Sequence, residues 1–136
     1  MYNRAMEDTV FHKIVRGEIP CHKIYEDDIT LAFLDLYPQN EGHTLVIPKL
    51  NPAEFVWDLD DETYRACMNT ARQVALRQRK VLPYQYIHQA VVGVDVPYAH
   101  IHLVPFDDIE QIQAPQTTAE PDHDKLDKLA DKLRFV

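Results

Sequence analysis

Residues 96–105 read V-P-Y-A-H-I-H-L-V-P, from Val96 to Pro105, and set two histidines one residue apart in an otherwise apolar run. In an extended strand the side chains at i and i+2 share a face, so Tyr98, His100 and His102 point one way while Ala99, Ile101 and Leu103 point the other. Two strand rises separate the imidazoles by about 6.6 Å, close enough for both to engage one small anionic group such as a phosphate. Histidine suits that task. Its reference pKa of about 6.5 leaves a neutral, nucleophilic ring at pH 7, with the protonated ring only slightly uphill.

Working outward, Val10, Phe11, Ile14 and Val15 fall at helical spacing between Thr9 and Gly17, which predicts a short helix. His22–Glu26 and Thr30–Leu36 read as a hairpin around Asp27-Asp28, and His43–Pro48 as a third strand after the turn at residues 38–42. Asp60 to Lys80 is the longest helix, with Asp60 or Asp61 as N-cap and Tyr64, Cys67, Met68, Ala71, Val74, Ala75 and Leu76 on one face. Tyr84–Val92 returns to strand character, Gly93 turns the chain, and the histidine stretch runs on to Phe106. A loop with Pro115 and Pro121 leads to a helix over Asp122–Leu133, whose apolar face packs back or meets a partner. This order predicts an α+β domain with a mainly antiparallel sheet of about five strands, one long helix and shorter terminal helices.

A chain of 136 residues is the size of one ordinary domain. The reading is a single domain over 1–136, with a motif-bearing core at 9–106 and a tail at 107–136. Asp and Glu number 22 against 14 Lys and Arg, a formal net charge of −8 that opposes binding to nucleic acid or anionic membrane. The opening residues lack a secretory h-region, and Cys21 and Cys67 are too few for a disulfide framework. The expectation is a cytoplasmic protein.

The stretch G-V-D-V-P-Y-A-H-I-H-L-V-P resembles the signature of the histidine triad (HIT) family of nucleotide hydrolases and transferases. A-F-L-D-L-Y-P-Q-N-E-G-H-T-L-V-I-P-K (Ala32–Lys49) is similar to the family's second motif, and V-F-H-K-I-V-R-G-E-I-P (Val10–Pro20) to its opening helix and turn. Three motifs in family order and spacing cover Thr9 to Phe106. The resemblance implies a HIT-like fold, a homodimer, and a purine nucleotide or related nucleoside phosphate derivative as substrate. It places His100 where the family's nucleophile attacks the α-phosphorus, His102 where an imidazole contacts the phosphate, and His43 where an upstream histidine supports the cluster. Asp35 falls where a carboxylate reads the ribose hydroxyls, and Phe11, Ile14, Ile19, Phe33 and Leu36 where the nucleobase is lined. The implied reaction splits the displacement into nucleotidylation of His100 and hydrolysis, releasing a nucleoside monophosphate, with no cofactor and no metal. A weakly active nucleotide-binding module is the alternative within the same family.

Three positions depart from the family pattern. Tyr98 stands where the first histidine belongs and is counted with the substrate-binding residues as a hydrogen-bonding phenol. Val91 and Val92 abut Gly93, so the loop that often serves the leaving group is shortened. Asp95 occupies a place where small hydroxylated residues commonly assist the phosphoryl group, and an anion there repels a phosphate. Bacterial relatives often carry a Cys-x-x-Cys pair that joins histidines around a structural zinc, and here its places fall near Thr9 and His12. A third class of function, a transition-metal site, would draw on His43, His100 and His102. His88 or Gln89 faces the site, undecided by alternation alone. His12, His22 and His123 read as surface residues, and Trp57 with Phe55 as a packing cluster.

Overall fold

The computed structural model describes residues 7–136; the polar opening stretch at 1–6 lies outside them. Its elements are α1 (Val10–Val15), β1 (Lys23–Glu26), β2 (Thr30–Leu34), β3 (Thr44–Pro48), α2 (Asp61–Val81), β4 (Tyr86–Ala90), β5 (Ile101–Phe106), α3 (Glu110–Gln113) and α4 (His123–Leu133), with a 3₁₀ turn at Val56–Asp58. Five antiparallel strands lie in the order β1-β2-β3-β5-β4.

The two faces of the sheet carry different layers. On one, Ala32 and Leu34 of β2, Val46 of β3, and Ile101 and Leu103 of β5 pack against Cys67, Ala71 and Val74 of α2. On the other, Leu31, Phe33, Leu45 and Ile47 meet Phe11 of α1 and Tyr98. The central strands are therefore buried on both sides, and β2 and β3 read as continuous apolar runs for that reason. Inside the first layer Gln78 of α2 donates to the carbonyls of Gly42 (3.0 Å) and Leu103 (3.2 Å), which ties the helix to the ends of β3 and β5. Gly42 has φ +88°, and a Cβ there would lie 2.7 Å from Leu82 Cδ1, so the turn that delivers His43 requires glycine.

Asp60 caps α2 by accepting from the Thr63 N–H at 2.8 Å. Helix α4 packs back on its own chain through Leu126, Ala130 and Leu133; Arg134 donates to the Lys23 carbonyl and Phe135 stacks on Tyr25. Among the described residues, no helix is long and apolar enough to cross a membrane.

The structure departs from the sequence expectation at several points, first at Leu76, which is 58% exposed and lies off the buried face of α2. Strand β2 stops at Leu34, because Asp35 bends away to accept the Tyr37 N–H at 2.9 Å in an Asx turn. The last strand starts at Ile101: Pro97 has no N–H for a ladder, and the Tyr98 N–H goes to the Val96 carbonyl. The tail loop contains the short helix α3. Trp57 and Phe55 are 69% and 43% exposed and form no packed cluster.

Candidate active site

The site lies at the ends of β3 and β5, where pairing of Leu45 with His102 brings two motifs of the sequence side by side. His43 and His100 are buried, with His102 half-buried between them. The alternation expected of residues 98–103 extends ahead of the strand itself. Tyr98 lies with the α1 layer, and Ala99, Ile101 and Leu103 lie with the α2 layer.

Hydrogen bonding fixes the tautomer of each imidazole. His100 Nδ1 is 2.6 Å from the Tyr98 carbonyl, which only accepts, so Nδ1 carries the hydrogen and the neutral ring keeps its lone pair at Nε2. His43 Nδ1 accepts the Gln39 N–H at 3.0 Å, so its hydrogen is at Nε2 and is donated to His102 Nδ1 at 2.9 Å. His102 then holds its own hydrogen at Nε2. A nucleophilic lone pair and a hydrogen-bond donor thus sit on rings whose centroids are 4.9 Å apart.

Burial keeps this relay neutral. It is the main cause that brings His43 and His102 down to about 4, helped for each by the nearby charge of other imidazoles. Asp35 lies 3.7 Å from His43 Nε2, yet burial raises its carboxyl, against the opposing pull of the Tyr37 N–H and His102. With both partners pushed toward neutrality, the contact is not a strong ion pair.

Two cavities reach both His100 and His102. The first, ≈ 450 Å³, is walled by Phe11, Ile14, Ile19, Phe33 and Leu36, with Asp35 at its edge and His100 and His102 at its inner end. All five apolar residues named from sequence line it. The second, ≈ 360 Å³, shares His100, His102, Asp95 and Gln116 and adds Gln39, His43 and His88. Alternation left His88 open, and the structure turns it to this side.

Tyr98 is the member that does not reach a cavity. Its side chain is 1% exposed, its hydroxyl donates to the Pro48 carbonyl, and its ring packs against Phe11 and His12. Burial raises the phenol, and its contribution to the site is the backbone carbonyl that orients His100. The places of the family's zinc cysteines are likewise closed without donors to spare. Thr9 and His12 form a capping box in which His12 Nδ1 bonds the Thr9 N–H at 2.9 Å, so Thr9, His12 and Tyr98 do not fit a zinc centre. His12 is therefore half-buried, and His22 too is largely covered, its side chain 10% exposed; only His123 is a surface residue as expected. The only potential metal-ligand cluster among the described residues is Asp35, His43 and His102, with Asp35 in the place expected of His100.

Gln39, Gln116, Thr117 and Thr118 escaped the sequence reading. Gln116 donates to Asp35 Oδ2 at 2.9 Å and to the Tyr37 carbonyl at 2.7 Å, while Gln39 donates to the carbonyls of Ile112 and Ala114. These bonds lay the tail across the mouth of both cavities. A Pro- and Thr-containing loop gives no periodicity from which that position could be read.

Solved structures of HIT-like proteins share this fold. The chain matches a crystal structure of a HIT-like protein from Bartonella henselae, described as involved in cell-cycle regulation, with a TM-score of 0.85 and 29% identity over 96% of this chain and 98% of that one. Residues 16–109 match the HIT domain, and the chain belongs to the HIT family. It is 34% identical over 127 residues, 91% of this chain and 79% of the other, to an adenosine 5′-monophosphoramidase of Saccharomyces cerevisiae. Over 44 residues, 32% of this chain and 22% of the other, it is 59% identical to an adenylylsulfatase of Arabidopsis thaliana.

Proposed function

We propose that this protein is a metal-independent hydrolase of nucleoside 5′-phosphoramidates or related nucleoside phosphate derivatives, working through a nucleotide held on His100. The observation that carries the reading is the fixed pair of tautomers between two cavities: a lone pair at His100 Nε2 beside a hydrogen at His102 Nε2. The relative from Saccharomyces cerevisiae named for the phosphoramidase activity supports the substrate class.

In this mechanism the base lies among Phe11, Ile14, Ile19, Phe33 and Leu36, and Asp35 accepts from the ribose hydroxyls. Two lone-pair positions of that carboxylate are taken by Tyr37 and Gln116, which leaves the other two for the diol. His100 Nε2 attacks the α-phosphorus and forms a P–N bond as the bond to the leaving group breaks. The leaving atom departs with its electron pair and takes up a proton from solvent. Water then displaces His100, forming a P–O bond and returning a proton, and the nucleoside monophosphate leaves. His102 Nε2–H donates to a phosphoryl oxygen throughout, and His43 holds His102 in the tautomer that allows it. A cytoplasmic homodimer completes the reading, with the exposed edge of β4 and the outer face of α2 available for pairing.

The test is release of AMP from adenosine 5′-phosphoramidate in the presence of EDTA, by the wild type and His100→Ala. Turnover by the wild type and its loss by about four orders of magnitude or more in the variant is the expected result. Acid-quenched wild type should carry an adenylate on His100. AMP binding without turnover would instead identify a nucleotide-binding module.

A further inference from the structure

The second cavity has no assigned ligand, and its hydrogen-bonding character is lopsided. Gln39 spends both hydrogens of its amide on the carbonyls of Ile112 and Ala114, and Gln116 spends both of its own on Asp35 and the Tyr37 carbonyl. What remains of each side chain is a carbonyl oxygen, which only accepts. The Asp95 carboxylate adds two more acceptor oxygens and is the only acidic side chain in the lining. No lysine or arginine lines it. The imidazoles are those of His43, His88, His100 and His102; His43 and the Nδ1 atoms of His100 and His102 are committed within the relay.

A phosphate or sulfate leaving group needs several donors and a guanidinium or ammonium partner, and the side chains here offer only the hydrogen at His102 Nε2 and a ring hydrogen of His88. An amine needs acceptors and a counter-charge. Ile112 and the exposed Val92 and Val94 provide aliphatic surface along which the stem of such an amine can lie.

Resting on the function proposed above, we infer that the second cavity is a leaving-group subsite for a cationic alkylamine, one bearing an ammonium group beyond the nitrogen bonded to phosphorus, with Asp95 as its counter-ion. Cleavage breaks the P–N bond to that amine as His100 takes the phosphorus; the nitrogen keeps the electron pair and gains a proton. The same feature that opposes a phosphate at Asp95 thereby selects what leaves.

The experiment compares adenosine 5′-phosphoramidates of 1,3-diaminopropane and of n-butylamine, which match in length and differ in charge. At low salt the wild type should favour the cationic compound about fivefold in kcat/KM, and the preference should shrink as salt screens it. In Asp95→Asn the ratio should fall to about one. Equal rates in the wild type, or a preference that persists in Asp95→Asn, would overturn the assignment. The same pair is titrated calorimetrically into His100→Ala, where the expected affinity ratio is again about fivefold. That second readout separates the two ideas: absence of turnover with a charge-dependent affinity ratio retains the subsite and rejects the hydrolase, whereas turnover with no charge preference does the reverse.

Discussion

Two pairs of imidazoles in this molecule are spaced almost identically, one tilted at 54° and the other stacked at 28°. His43 and His102 stand 2.9 Å apart with ring centroids at 5.2 Å and a carboxylate, Asp35, at 3.7 Å. His22 and His123 also stand 2.9 Å apart, with centroids at 5.1 Å and Asp127 at 2.7 Å from His22. Their surroundings differ. The first pair is sealed by the sheet, and one-way backbone partners settle where each hydrogen lies; the second joins the start of β1 to exposed positions of α4, with every partner a side chain. Contact between imidazoles is thus common to both, and what singles out the first is burial together with direction.

If direction matters, the largest effect of breaking the comparison falls on the relay. His102→Ala removes the donor at Nε2, and His43→Ala frees His102 to adopt the other tautomer. Each should lower kcat for AMP release by about 100-fold. The two losses should not add in the double variant, since they disable one unit. Full additivity would show that His43 acts on the reaction by some route other than His102.

Burial predicts a dependence of stability on pH. The folded-state pKa values of His43 and His102, near 4, lie below the ordinary 6.5 of an unfolded chain. The unfolded chain therefore binds more protons between these limits, and stability present above pH 6.5 is lost as pH falls toward 4. Asp35, raised by burial, works with the opposite sign and offsets part of the loss at the acid end. The net cost should be on the order of 3 kcal/mol, read as a falling Tm in calorimetry from pH 7.5 to 4.5. A His43→Asn, His102→Asn double variant should show a shallower slope. An unchanged slope would place the titrating groups elsewhere.

Much of this was legible before any coordinates. Apolar and aromatic runs marked β2, β3 and β5, and a strand's period of two put His100 and His102 on one face. The resemblance to the family's motifs, not the alternation, supplied His43, Asp35 and the five apolar residues that line the first cavity. Both failed where position depends on side-chain amides reaching across the fold. Gln39 and Gln116 are separated by 77 residues of chain and carry no periodic signal, yet they hold the tail over both cavities. Tyr98 failed for another reason: a phenol in a motif histidine's place reads as a ligand contact, whereas its length carries the hydroxyl past the cavity to the Pro48 carbonyl. His22 was read as surface because a single histidine near a strand start has no signal of the helix, 101 residues later, that covers it.

The smallest effect belongs to the second pair. Helix α4 is held by Leu126, Ala130 and Leu133, and the Asp127, His22 and His123 chain adds only exposed polar contacts to that apolar seam. His22→Asn should cost about 0.5 kcal/mol of stability, whereas Leu133→Ala should cost about 2–5 kcal/mol by leaving a cavity between α4 and the sheet. Turnover of His22→Asn should stay within about twofold of wild type, since neither side-chain partner of His22, Asp127 or His123, lines either cavity. A loss comparable to that of His43→Ala would mean that the docking of α4 is coupled to the tail segment at Gln116. The likeness between the two histidine pairs would then extend from geometry to function.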